Sequence, residues 1–492
     1  MVECSVSDRK AACLKDRLKS WAVKFNVSHR CLTALLKDLR NSSPAVLTEL
    51  PRSAVSLLGT PRRIETIVSI GNGQYFHFGL VAGLQHALRE TCTIPQLLEL
   101  IVNIDGLPLT KSTKAQFWLT LCQLKNVESS EPFPIGVYFG HSNPANSNEF
   151  LKEFVSKLSE AQKGGVFFRG RVVEVQILAV VCDAPARAFV LSIKGHSGYS
   201  SCTKCVTEGR FVYGRMCFPE LNAAPRTDVS FREHTDEDHH IGTSILENLS
   251  FDLVKQVPLD YMHLVCIGVM HKLLRLWFQG QHSFRMAAQV EDEISKRIEK
   301  LAACIPCEFN HRPRPLSELD RWKATEFELL LLYLGPVTFY HLVRSDLHGN
   351  FMVLHCAITI LASPRLCVQF VDYGEQLLQH FVTTFKGIYG IDFVSHNVHG
   401  LIHLAEDVRN LGHLDSLSAF PFENFMQRLK RLHRKPGKAL EQLCRRVSEE
   451  RAASSSAQAR RKQAEPTLLF PHDDGPLTDH LEGQQYRKLV TH

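Results

Sequence analysis

Residues 171–183 read RVVEVQILAVVCD. The stretch is short, rich in β-branched residues and almost free of charge towards its end, the pattern of a strand buried in a sheet. It stops on a carboxylate, Asp183. Upstream lies a helical stretch, 149–162, with Phe150, Leu151, Phe154, Val155 and Leu158 on one face. Before that come three short apolar runs separated by turn residues: 98–109 (LELIVNIDGLPL), 116–124 (QFWLTLCQL) and 134–139 (PIGVYF). The first of them carries Asp105 towards its end.

Three hairpin-linked strands, a helix and then a central strand is the element order of an RNase H-like core. The predicted fold class is therefore α/β, an RNase H-like mixed sheet over 96–190. A large, mainly helical insertion over 191–394 is expected to interrupt it, with helical stripes at 263–280, 287–303 and 324–345 and two more helical stretches within 351–390. In such a sheet the strands ending at Asp105 and Asp183 are neighbours, and both carboxylates project from one edge. Phosphoryl transfer needs a pair of that kind, because two divalent cations about 3.5–4 Å apart must be clamped. Hard oxygen ligands suit Mg²⁺. An Asp at a strand end is, by itself, more often a turn former or a cap.

The flanks are different in character. Residues 1–45 read as two helices with a break at Asn26-Val27-Ser28, with Ser28 as N-cap of the second. Leu14, Leu18, Trp21, Ala22 and Phe25 form one stripe and Leu32, Leu35, Leu36 and Leu39 another, leaving Lys15, Lys19, Arg30, Lys37 and Arg40 outside. This is either a helix-turn-helix that meets DNA or a solvated helical hairpin. Residues 46–95 are read as a linking region with a turn at Gly71-Asn72-Gly73, and 395–433 as a histidine helix followed by a final acidic helix. Residues 434–492 are expected to be a basic flexible tail. The 57 basic against 51 acidic residues permit a polyanionic partner without demanding one. No run reaches the ~18 apolar residues of a membrane span, and the N-terminus lacks the apolar core of a signal peptide. The 15 cysteines follow no framework spacing. Together these point to a reducing compartment, with no membrane partner.

Cys202-Thr203-Lys204-Cys205 supplies half of a tetrahedral zinc site, or else a redox pair or free thiols. His399 and His403, four apart on a predicted helix, face one way and offer two further ligands, with His396 as a competitor. The run Asp236–His240 has a metal-like composition but lies in an irregular polar segment and reads as solvated. Trp322 opens an apolar helical stripe and reads as core. Lys111, Ser112 and Lys114 after the first Asp, and Arg187 and Lys194 after the second, lie where a DNA backbone would pass, if they are more than solvated loop residues.

Five segments carry a family resemblance: IDGLPLTKSTKAQFW (104–118), VCDAPARAFVLSIKGHSGYSSCTKC (181–205), LDYMHLVCIGVMHKLL (259–274), DRWKATEFELLLLYLGP (320–336) and HNVHGLIHLAEDVRNLGHLDSLSAFPFENFMQRLK (396–430). In this order, from about Trp21 to Arg434, the chain resembles the transposases of CACTA (En/Spm)-type cut-and-paste elements, and more distantly the V(D)J recombinase catalytic core. The resemblance implies a DDE-type enzyme with Asp105, Asp183 and Glu423 as its acidic triad, although Glu406, Asp407 and Asp415 lie close to the third position. It implies Mg²⁺ or Mn²⁺ as the catalytic ion and a structural Zn²⁺ on Cys202, Cys205, His399 and His403. Asp260 and His263 fall on the family's D-x-x-H signature, as brace, DNA contact or simple cap. A nuclear protein acting on transposon ends and target DNA, as a homodimer or higher oligomer, would follow. The rival expectations are a catalytically inactive, transposase-derived nuclear protein that binds DNA or protein, and an RNase H-like nuclease acting on other nucleic acids.

Overall fold

The structure, a computed structural model of the 492-residue chain, describes residues 6–42, 45–64, 66–91, 93–110, 113–128, 130–306, 309, 312–434, 437–457, 467–472 and 485–490. It divides into two compact units, Glu65–Leu440 and a second made of Met1–Ile64 with Glu441–His492.

The larger unit is a mixed α/β structure. Its seven-stranded sheet contains β1 (Val68–Ile70), β2 (Gly73–His77), β3 (Leu97–Pro108), β4 (Gln116–Leu124), β5 (Phe133–Gly140), β6 (Val166–Phe168) and β7 (Arg171–Val181), in the spatial order β1-β2-β5-β4-β3-β7-β6. The expected strands are all present within a residue or two. All but one of the pairings are antiparallel; β3 and β7 run parallel. That direction requires a crossover, and the Ser147–Gly164 helix provides it. Asn146 caps its start by accepting from the amides of Asn148 and Glu149, and Gly165, at a φ of 66°, ends it. Phe150, Leu151, Phe154, Val155 and Leu158 are buried in the sheet core, as their spacing predicts. The short strands β1 and β2, joined at Gly71-Asn72, extend the sheet from a region read only as a link.

A second core in the same unit is built from helices between Met262 and Leu411. Trp277 is fully buried there and its indole N–H donates to the Tyr389 hydroxyl at 2.7 Å; Trp322 is buried there too, as expected. The segment Met262–Met270 is wound as a π-helix and packs closely on the His396–Gly400 helix. Two glycines permit that approach: a Cβ on Gly268 would stand 2.4 Å from Asn397 Nδ2, and one on Gly400 would stand 2.7 Å from Leu264 Cδ1.

The smaller unit corrects two expectations. Its helices Val6–Lys24 and His29–Arg40 are present, and Ser28 caps the second by accepting from the Cys31 amide. However, Trp21 and Phe25 are exposed, and the buried contributors are Ala22, Leu32 and Leu36, which pack with Leu50, Ala54, Leu57 and Leu58. The tail expected to be flexible is helical over Ala439–Ala457, burying Leu443, Cys444 and Val447. It carries the buried Glu449, which takes hydrogen bonds from His29, Thr60 and Arg446.

Burial alone would raise the Glu449 carboxyl, but the bonds from His29 and Thr60, with Arg446, hold it below the ordinary value. A depressed folded value stabilises above the unfolded carboxyl range and is lost as pH falls through the folded one. Glu449→Gln should therefore cost about 1.5–3 kcal/mol at neutral pH, a typical loss for hydrogen bonds to a charge, and less in acid. Hydrogen exchange of residues 29–40 and 441–457 at pH 7 and pH 4 reads this directly. Equal protection in both proteins at pH 7 would refute it.

Candidate metal centres

Asp105 lies on β3 and Asp183 just beyond β7. The last parallel pair of these strands is Asn103 with Val181, so each Asp stands two residues beyond the same rung. Identical register on neighbouring parallel strands puts both at one end of the sheet. Asp105 is only 8% exposed, and its Oδ1 accepts from the Gly106 amide at 2.6 Å. Asp183 is the N-cap of the Ala184–Leu191 helix, its Oδ1 accepting from the Ala186 amide at 2.7 Å, with Pro185 in the first turn.

Glu423 arrives from more than 200 residues further along the chain. It sits in the first turn of the Phe420–Leu432 helix, where a carboxylate suits the helix dipole. One donor atom each from Asp105, His263 and Glu423 lie within 4.8 Å of one another. The group therefore unites the first and third expected carboxylates with the histidine of the D-x-x-H motif, whereas Asp183 stands outside it and acts on it through its charge. Burial, then the charges of Asp183 and Glu423, push the Asp105 carboxyl well above its ordinary value. Burial likewise raises Glu423. A cavity of about 190 Å³ opens beside this cluster, lined in part by Asp183, Asp260, His263 and Asn397.

The D-x-x-H motif acquires a definite structural role. Asp260 is buried, and its Oδ2 accepts from the backbone amide of His263 at 3.0 Å and bonds the ring Nδ1 at 2.6 Å. Its Oδ1 accepts from the Ala419 amide at 2.8 Å, immediately before the helix that carries Glu423. One carboxylate thus orients His263 and anchors the entry of the final helix. Burial opposes charge on His263, but the hydrogen bond and charge of Asp260, followed by Asp105 and Asp183, lift the imidazole to about 9. The role was not readable from sequence because its second partner is 159 residues away.

The second centre joins the C-x-x-C to the late histidines. The Sγ atoms of Cys202 and Cys205 are 3.6 Å apart, Cys202 Sγ to His403 Nε2 is 3.6 Å, Cys205 Sγ to His399 Nε2 is 3.3 Å, and the two Nε2 atoms are 3.3 Å apart. A tetrahedral ion with metal–sulfur bonds of about 2.3 Å and metal–nitrogen bonds of about 2.0–2.1 Å has edges of about 3.8, 3.6 and 3.3 Å for S···S, S···N and N···N. Those four separations match the corresponding edges to within about 0.3 Å, all four ligand atoms lie within 4.8 Å of one another, and the sulfurs are too far apart for a disulfide. Hydrogen bonding from Cys205, with His399 and His403 behind it, holds the Cys202 thiol well below its ordinary value despite burial. The competitor His396 stands outside the quartet, its Nε2 3.4 Å from the Ser201 carbonyl and its ring against Phe218. The two histidines fall on a short α-turn (His396–Gly400) and a 3₁₀ turn (Leu401–His403).

Neighbouring side chains lock this centre to the first. Lys204, inside the C-x-x-C, is buried and donates to Asp407 Oδ1 at 2.5 Å and to the Val254 carbonyl at 2.7 Å; Asp407 Oδ2 accepts from the Leu259 amide, next to Asp260. Asp407 is thereby engaged as a structural partner, and it is not part of the Asp105, His263 and Glu423 group. Breaking one side of a buried pair strands a charge, at a cost of about 3–5 kcal/mol, whereas an apolar replacement of both is far milder. Lys204→Met and Asp407→Leu should each lower unfolding stability on that scale, and the double variant by less than either. Additive losses in denaturant unfolding would overturn this.

The remaining candidates divide. Lys111 and Ser112 lie outside the described residues. Lys114 is exposed in the following turn. Lys194 pairs with Asp238 at 3.1 Å. Arg187, expected at the surface, is buried in the Ala184–Leu191 helix, donating to the Pro258 carbonyl. Asp236–His240, expected to be solvated, is half structural: Asp236 pairs with Arg226, which also donates to the Cys202 carbonyl, and the fully buried His239 bonds the Ser200 carbonyl at 2.6 Å. Among the described residues the cysteines are free thiols, and no helix is long and apolar enough to cross a membrane. In comparisons with known proteins, no protein-family model and no curated protein matches this chain.

Proposed function

We propose that the chain is the catalytic core of a DDE-type DNA transposase, or a protein derived from one, built on an RNase H-like fold. The observation that carries this reading is the equal register of Asp105 and Asp183 on the parallel strands β3 and β7, with Glu423 delivered to within 4.8 Å of Asp105 by a distant helix. In support of the fold, β3, β4 and β5 are antiparallel neighbours and β7, reached through the crossover helix, lies parallel beside β3, as an RNase H-like core would require.

Asp105, Asp183 and Glu423 would hold Mg²⁺ or Mn²⁺. When bound, such ions would supply charge neutralisation at a phosphodiester and activation of an attacking oxygen. The side chains themselves need form no covalent bond; their contribution is position and charge. Asp260 fixes His263 beside two of the carboxylates, where a cationic ring balances their charge. Cys202, Cys205, His399 and His403 would hold a structural Zn²⁺ that ties the helical segment to the sheet. DNA as substrate, a nuclear location and a dimer that pairs two DNA ends belong to the same reading.

The deciding experiment is cleavage and joining of element-end DNA by the full chain with Mg²⁺ or Mn²⁺. No metal-dependent product would reject the catalytic reading. A second reading, a transposase-derived DNA- or protein-binding protein without catalysis, is favoured by one feature: Asp183 is occupied as a helix cap and stands outside the three-residue cluster. DNA binding without any cleavage would support it.

A further inference from the structure

The Ala184–Leu191 helix buries an arginine that its surroundings leave largely unpartnered. Arg187 is only 4% exposed. Its guanidinium carries five N–H donors in a fixed plane and keeps its charge in a protein interior. Among the described residues its one side-chain hydrogen bond is to the Pro258 carbonyl, at the long distance of 3.4 Å, and no carboxylate forms an ion pair with it. Burial holds the guanidinium below its ordinary value, against the pull of Asp407, Cys202 and Asp183. Those acids are engaged elsewhere: Asp407 by Lys204 and the Leu259 amide, Asp183 by the Ala186 amide. A buried cation left without a partner is costly, and an anion brought to it recovers that cost.

Arg187 lines the cavity of about 190 Å³ beside the Asp105, His263 and Glu423 group, together with Asp183, Asp260 and His263. Asp260 is held by His263 and the Ala419 amide, so it is not a partner for Arg187 either. The exposed His196 also lines the cavity, which therefore reaches the surface. A single water needs roughly 10–15 Å³, so the space admits a phosphate group. An anion entering beside three carboxylates is repelled unless cations stand with it. Divalent ions on the carboxylates and the guanidinium of Arg187 would together supply that charge. A phosphate diester also offers two oxygens to the two parallel N–H groups of a guanidinium edge.

We propose that Arg187 is the buried part of a phosphate subsite, in which a phosphodiester of the DNA strand enters the cavity and accepts hydrogen bonds from the guanidinium beside the metal-holding carboxylates. The contact lies inside a recess and not on the open surface where the position of Arg187 in the sequence would put it. The inference rests on the reading of this chain as a DNA-acting protein, but not on its being catalytic.

The test uses the full-length protein with Ca²⁺ in place of Mg²⁺ and fluorescence anisotropy on a labelled element-end duplex. The same duplex is then made with single uncharged methylphosphonate links, placed one at a time along each strand. Arg187→Met is expected to weaken binding by roughly 30-fold or more, as loss of one side of a buried charge contact commonly does. One or two methylphosphonate positions should weaken the wild-type protein comparably and have no further effect on Arg187→Met. Arg187→Lys, which keeps the charge and loses the paired donors, should fall between. Without DNA or added divalent ions Arg187→Met should melt no lower than wild type, since it removes a buried cation and leaves an apolar side chain of similar length. Unchanged affinity in Arg187→Met overturns the proposal, as do methylphosphonate losses that are equal in wild type, Arg187→Lys and Arg187→Met at every position. A clear drop in melting midpoint overturns it too, by assigning Arg187 to the fold. A wild-type protein that binds no DNA overturns it together with the reading it rests on. Arg187-dependent binding with no Mn²⁺-dependent cleavage would support the subsite and reject the catalytic reading alone.

Discussion

Asp183→Asn is expected to reduce metal-dependent DNA strand cleavage by roughly a thousandfold or more, because it removes one of the charges that would hold catalytic metal, a contribution of several kcal/mol. The substitution isolates charge from structure. Asn is as good an N-cap as Asp, so the bond to the Ala186 amide and the start of the Ala184–Leu191 helix should survive. Asp105→Asn should be equally inactive, with a second and opposite signature in stability. Burial and the neighbouring carboxylates raise the Asp105 carboxyl well above its ordinary value. An acid raised on folding favours the folded state when protonated. The cost of ionising it accumulates as pH climbs from the unfolded value to the folded one, and is in force above the latter. The Asn variant escapes that cost, so with chelator present it should melt no lower than wild type at alkaline pH. Adding Mn²⁺ should raise the wild-type midpoint and move the variant little. Cleavage that persists in Asp183→Asn would end the proposed chemistry, and a large drop in midpoint would reassign the effect to folding.

Much of this sheet was legible from sequence because strands of 8 to 12 residues with β-branched runs leave a clear pattern. The three-residue β1, exposed at two positions, leaves almost none. The Ala439–Ala457 helix was misread from its Ser, Ala and Arg content. Its signal was nevertheless there: Leu440, Leu443, Cys444 and Val447 keep helical spacing and are buried. The candidate site divides in the same way. Strand ends and two short spacings, three positions from Cys202 to Cys205 and four from His399 to His403, are local features. The clamp of Asp260 on Ala419, the ion pair of Lys204 with Asp407 and the burial of Arg187 depend on segments far apart in the chain. Periodicity does not report on these, because it describes one element at a time.

The Cys/His centre carries the other large expected effect. Cys202→Ala/Cys205→Ala should abolish bound zinc, expected at one ion per wild-type chain, and destabilise the larger unit severely. Structural zinc contributes about 10–16 kcal/mol of apparent binding free energy in small finger peptides, and part of that is available here to hold distant segments together. The consequence is specific because the quartet joins residues 202–205 to 399–403, and the latter run directly into Asp407 and the segment that enters the Glu423 helix. Hydrogen exchange should therefore rise in 199–227 and 396–432 before it rises in β3, β4 and β5, whose core is separate. Cleavage should fail in the variant even with Asp105 and Asp183 intact, since the third carboxylate is no longer held beside them. His396→Ala is the control: it alters a buried ring next to the centre but removes no ligand, and zinc content should stay at the wild-type value. Full zinc in the double-cysteine variant would remove the centre from the account. Loss of zinc with undiminished cleavage would separate it from the placement of Glu423.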